Sequence, residues 1–146
     1  MSTVLIAKNQ FYMSAGYGIF VVDIIRSSVE SRLVDYVISG NHFWITGGQP
    51  ISVTSGSQAI EGDMWSTSGA VVSKNIVEGT STMRAIEAWR ALNTSIIDND
   101  LSKFTTTLSA PYHLGNSLNG IVSGEGGTVQ TTGIGVDTHT LVGVRR

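Results

Sequence analysis

The sequence predicts an α+β fold, a mainly antiparallel β-sheet with one clear amphipathic helix at about 81–93 and a second helix at about 28–38. Three observations lead there. Short β-branched runs recur between glycines, which is the pattern of sheet strands and turns. One segment carries its apolar residues at helical spacing. The chain has 146 residues, enough for one domain, 1–146, with a real core.

The elements follow in chain order. "TVLIA" and "IFVVDII" flank "NQFYMSAGYG", where Gly16 and Gly18 mark turns, so a first strand pair is expected. In "SSVESRLVDYVISG", Ser27 and Glu30 have capping-box spacing, and Gly40 stands where a helix would stop. Val29, Leu33, Tyr36 and Val37 fall on one stripe. The part "RLVDYVIS" also reads as a strand, and the helix is taken. "HFWIT", "PISVTS", "QAI", "DMWSTS" and "AVVSKNIV" are short, apolar or Thr-rich, and separated by glycines. Their length and spacing predict antiparallel neighbours.

"TSTMRAIEAWRALN" is the strong helix signal. Thr80 or Ser81 supplies the cap. Ala85, Ile86, Ala88, Trp89 and Leu92 share one face, with Trp89 as its anchor. Arg84, Glu87 and Arg90 lie opposite, where residues three apart pair. "KFTTTLS" reads as a strand ended by Pro111, and "YHLGNSLNGIVSGEGG" as loop and short strand. The C-terminal stretch "GIGVDTHTLVGV" alternates cleanly. Ile134, Val136, Thr138, Thr140, Val142 and Val144 are all β-branched, and glycine, Asp137, His139 and Leu141 occupy the other positions. That is a long strand with a β-branched face.

Only 14% of the residues are charged, against about 25% in ordinary soluble domains. Segments 41–60 and 104–124 contain no charge at all, and Asp137 is the only one between 126 and 144. Such segments are expected to pack against something, and subunit contacts are one answer. An edge strand without Lys or Pro recruits other chains, so Ile134, Val136, Thr138, Thr140, Val142 and Val144 are candidate interface residues of a homo-oligomer. The net charge is −2 with no basic face beyond Arg145 and Arg146, which argues against nucleic acid. No apolar run has the length of a membrane span. "MSTVLIAKNQ" lacks a basic n-region, so the chain reads as soluble from its own Met.

Chemistry finds little support. There is no cysteine, so thiolate ligands and nucleophiles are excluded. Asp137 and His139 stand ~7 Å apart on one strand face, and two ligands alone make no metal site. His42 and His113 sit beside aromatic or turn residues and read as packed or surface histidines. "SGEGGTVQ" lacks both the Gly-Lys-Ser/Thr ending and the following helix of a phosphate loop. No G-x-S-x-G occurs. No cofactor, metal ligand set or catalytic residue is assigned. Trp44 and Trp65, in charge-poor strands near glycine turns, are candidate surfaces for stacking a sugar ring.

"EGDMWSTSGAVV" resembles the Gly-Asp-x-Trp turn-and-strand phrase of phage tail-fibre and other virion proteins. The likeness covers about a dozen residues; low charge, no cysteine and abundant Ser, Thr and Gly accompany it. It implies a non-enzymatic structural protein of a phage virion: a tail, baseplate, fibre or capsid decoration component. Its partners would be itself and other virion proteins, and its location the virion after synthesis in the host cytoplasm. A carbohydrate-binding module is the alternative, with a glycan as partner, and a small hydrolase is the third reading.

Overall fold

Four times the chain runs through a short, mostly apolar triplet, turns on a left-handed residue and continues with asparagine. The turning residues are Lys8, Gly40, Lys74 and Asp98, at φ 59°, 66°, 55° and 54°. Asn9, Asn41, Asn75 and Asn99 follow them directly. A non-glycine residue in this region costs roughly 1–2 kcal/mol, so three such residues need a compensating contact. The contact is a ladder. Asn9 donates from its main chain and side chain to Asn41 Oδ1 at 3.0 and 3.1 Å. Asn41 does the same to Asn75 Oδ1 at 2.9 and 3.0 Å. Asn75 repeats it to Asn99 Oδ1 at 3.0 and 2.9 Å. The second amide hydrogens of Asn41, Asn75 and Asn99 go to the carbonyls of Ile6, Ile38 and Val72. Asn41, Asn75 and Asn99 are buried, and this bonding offsets their desolvation.

The computed structural model describes residues 2–23, 34–55, 67–68, 70–89, 91–92, 94–115, 120–132 and 141–145. They form β1 (Ser2–Ala7), β2 (Gln10–Met13), β3 (Tyr17–Asp23), β4 (Val34–Ser39), β5 (His42–Ile45), β6 (Gln49–Ser55), β7 (Thr67–Ser68) and β8 (Val71–Ser73). Then come β9 (Ile76–Ser81), β10 (Ile86–Trp89), β11 (Ala91–Leu92), β12 (Ser95–Thr106), β13 (Tyr112–Gly115), β14 (Ile121–Glu125), β15 (Val129–Thr132) and β16 (Leu141–Arg145).

Every strand pair among them is parallel, and each strand pairs with its counterpart one circuit along the chain. The first sheet runs β1-β4-β8-β12-β14-β16. The second runs β2-β5-β9-β12, joined to the first because β12 continues through the corner at Asn99. The third runs β3-β6-β10-β13-β15. The result is a parallel β-solenoid, in which one passage through the three sheets makes a coil.

Register stacks like side chains upon like. Ile6, Ile38, Val72, Ile96 and Val122 form one row of the first sheet. Ile19, Ile51, Ile86, Tyr112 and Val129 form a row of the third. Phe11 stacks on Phe43 with ring centroids 4.6 Å apart. These rows belong to one core. Tyr112 is fully enclosed, and its hydroxyl lies within donating distance of the carbonyls of Asn99 and Glu125. Burial, and then the negative charges of Asp100 and Glu125, push its phenol well above the ordinary range.

The architecture corrects the expected α+β class, because the described residues contain no helix and no antiparallel pair. Where a helix was expected at 81–93, the chain ends β9, turns, and forms β10 and β11. Ile86 and Ala88 are buried while Glu87 and Trp89 are half-buried, so the segment satisfies period two over this short span. Neighbouring coils also claim its backbone. Ile51 N–H donates to the Ala85 carbonyl, and the N–H groups of Ala85 and Ile86 donate to that of Pro111. Helix propensity, a few tenths of a kcal/mol per residue, loses to pairing on both sides. Trp89 is therefore no helix anchor; it lies outward and half-exposed over Gly115.

The expected helix at 28–38 fails in its second half, where β4 lies between β1 and β8; residues 28–33 lie outside the described residues. The expected first strand pair also fails, since β1 and β3 belong to different sheets. Glycine turns here bend the chain from sheet to sheet instead of reversing it. At Gly48, φ is 84° and a Cβ would meet the Gly16 carbonyl oxygen at 2.6 Å.

Candidate functional site

The outward row of the second sheet carries Tyr12, the most exposed aromatic side chain among the described residues. Inward positions of β2, β5 and β9 are taken by Phe11, Phe43, Ile45 and Val77, so the alternate residues face out. Register places Tyr12 beside Trp44, Trp44 beside Glu78, and Glu78 beside Lys103. Tyr12 stacks on Trp44 at 4.8 Å and 10° between planes. Trp44 also stacks on His42, at 3.6 Å and 23°. Much of the Trp44 ring is thus engaged, whereas Tyr12 is 75% exposed.

Below these rings lies an open groove of about 570 Å³, lined among others by Tyr12, Ser14, Trp44, Thr46, Glu78 and Gly79. Gly79, at φ 118°, allows β9 to pass against the Ile45 carbonyl, where a Cβ would collide. Glu78 Oε1 lies 3.3 Å from His42 Nε2 and 3.4 Å from Lys103 Nζ. The His42 contact is misaligned, and its buried Nε2 makes no hydrogen bond. The Lys103 pair is exposed and contributes little. The groove thus offers aromatic faces, the hydroxyls of Tyr12, Ser14 and Thr46, and a carboxylate, a set suited to the C–H face and hydroxyls of a sugar.

A second cluster lies on the outward row of the third sheet. Glu87 of β10 stands in register with His113 of β13. Glu87 Oε2 is 2.8 Å from His113 Nδ1, and His113 Nε2 is 2.7 Å from Thr132 Oγ1 on β15. Arg84 approaches Glu87 at 3.5 Å and donates to Gln130 Oε1 at 2.6 Å. Burial pulls the Glu87 carboxyl upward, but the hydrogen bond and charge of His113, the Arg84 charge and the nearby Gln49 amide outweigh it, so the net shift is down. Glu87 is thus held as a carboxylate that accepts from Nδ1–H. Nε2 lies within hydrogen-bond distance of the Thr132 hydroxyl. Hydroxyl, imidazole and carboxylate in this order are the parts of a nucleophile relay. His113 is only 3% exposed, however, and both its nitrogens are held by fixed partners. The contacts of the cluster tie β10, β13 and β15 together.

The sequence singled out Trp44, and the structure adds Tyr12, His42 and Glu78 beside it. The missed signal is positional: Tyr12 and Trp44 each stand three residues after a ladder asparagine. Trp65, Asp137, His139, Ile134, Val136, Thr138 and Thr140 lie outside the described residues. Val142 and Val144 are in β16, opposite Val122 and Gly124 of β14. Among the described residues, no three His, Cys, Asp or Glu side chains converge as metal ligands. No protein-family model, curated protein or solved structure matches the chain.

Proposed function

We propose that the chain is a non-enzymatic structural protein of a phage virion, a tail, baseplate, fibre or capsid decoration component. Its task is to be a stiff rod segment that associates with itself and with other virion proteins. The observation that carries this reading is the internal ladder of Asn9, Asn41, Asn75 and Asn99, flanked by stacked apolar rows. The buried amides of Asn41, Asn75 and Asn99 are taken up in holding neighbouring coils in register. The virion assignment is supported by the Gly-Asp-x-Trp phrase and the low-charge, cysteine-free composition. Immunogold labelling of purified particles with an antibody to the chain tests it. Label on the particles is expected; label confined to the particle-free supernatant would sink the reading.

The groove beside Tyr12 and Trp44 favours a second reading, glycan recognition. Binding on a glycan array that is lost in Tyr12→Ala and Trp44→Ala would support it. An array without signal would remove it.

A further inference from the structure

We propose that copies of this chain stack end to end, the last coil of one molecule pairing with the first coil of the next. The inference rests on the reading of the chain as a self-associating structural protein and names the surfaces. Among the described residues, β1, β2 and β3 each pair on one side only, with β4, β5 and β6. At the opposite end β16 and β15 likewise pair only with β14 and β13. Both ends present edges of the first and third sheets, and all strands run the same way. A second copy displaced along the solenoid axis therefore sets β16 against β1 as a parallel strand, without reversal. A contact between two different surfaces of this kind propagates instead of closing.

The first coil is not finished as a surface for water. Of the eight large hydrophobic side chains exposed among the described residues, five belong to it: Val4, Leu5, Tyr12, Tyr17 and Phe20. Edges that face solvent are normally guarded by lysines, prolines or bulges. Here β1 and β2 hold none of the first two, and Lys8 sits in the turn between them. The ladder is open at this end too. Asn41, Asn75 and Asn99 each receive two donors on Oδ1, whereas Asn9 Oδ1 receives none among the described residues. An N–H arriving at that corner would be met as the Asn9 N–H is met by Asn41.

A second copy is the occupant because the contact continues the stack already inside the molecule. Register runs Leu5, Val37, Val71, Ser95, Ile121, Leu141 along one row of the first sheet. One more step brings Leu141 of one copy beside Leu5 of the next, about 4.8 Å away.

The natural chain has no cysteine, so paired thiols report on this contact alone. The Leu5→Cys/Leu141→Cys double variant, oxidised at concentrations where sedimentation velocity shows association, should give dimers, trimers and longer disulfide-linked species. Each single variant should give at most a trace of dimer. A double variant that matches the singles overturns the end-to-end contact while leaving self-association standing. A wild-type chain that sediments as a monomer at all concentrations overturns both. If the double variant fails to fold, Leu5→Lys replaces it. Association weakened at least tenfold supports the contact, and unchanged association overturns it.

Discussion

Asn75 shows how one side chain holds several groups at once. Its Oδ1 accepts two hydrogen bonds from Asn41, and its Nδ2 donates to Asn99 and to the Ile38 carbonyl. Asn75→Ala strands these partners in the interior, where each unmet group costs on the order of 1–3 kcal/mol. A loss of about 3–5 kcal/mol is expected in denaturant melts. Asn9→Ala, at the exposed end of the ladder, should cost less than about 1 kcal/mol. Equal losses would mean that the ladder is not cooperative. Glu87 supplies a pH signature. Its folded pKa lies below the ordinary 4.5. Its stabilisation is therefore full above that value and is lost as pH falls through the depressed folded value. Glu87→Gln should flatten this part of the stability-versus-pH curve, and an unchanged acid limb would refute the pairing with His113.

The segment at 86–89 shows where local reading failed among the elements. Ile86, Ala88 and Trp89 fit a helical stripe, and the first two also fit alternation; neighbouring coils supplied the decision. Short apolar runs between glycines were legible elsewhere, and "HFWIT" and "PISVTS" coincide with β5 and β6 to within a residue. Their pairing was not, because glycine-bounded strands look alike whether the chain reverses or merely turns a corner. The repeat itself was present in "LIAKN", "VISGN", "VVSKN" and "SIIDN". The asparagines are separated by 32, 34 and 24 residues, so no fixed period reveals them. The corner also makes a prediction. Lys74 is exposed at φ 55°. Lys74→Asn suits that conformation better and should raise stability by up to about 1 kcal/mol. A loss in thermal melts would show that the lysine has another task.

On the scale of the molecule, stacking accounts for part of the missing charge. In the charge-free stretch that begins at Asn41, Phe43, Ile45, Ile51 and Val53 line the core, and Asn41, Gln49 and Ser52 are buried beside them. These positions could not carry charge even in a solitary molecule, so the composition overstates the argument for subunit contacts. The exposed hydrophobics of β1–β3 are a better one. Hydrogen exchange reads the difference. Amides of β5, β8, β9 and β12 should be protected most. Those of β1, β2 and β3 should exchange fast in dilute solution and slow as concentration rises. Rapid exchange in the first coil at every concentration would count against end-to-end stacking.

The ladder spacing also governs how the chain finds its fold in time. Along the asparagine ladder each coil meets its predecessor after 24–34 residues, in the last coils the separation is shorter, as at Tyr112↔Val129 and Ile121↔Leu141, and the described strand pairs link adjacent circuits. The search that closes a coil is therefore local at every step, and a twofold change in its length alters the closure cost by only about 0.6 kcal/mol. A rod of this kind grows longer without any distant segments having to meet. Its folding time should follow the slowest single closure and depend little on the number of coils, because rates track the sequence separation of contacts more than length. Insertion or loss of one coil leaves that closure unchanged, which makes length the easiest property of such a molecule to alter.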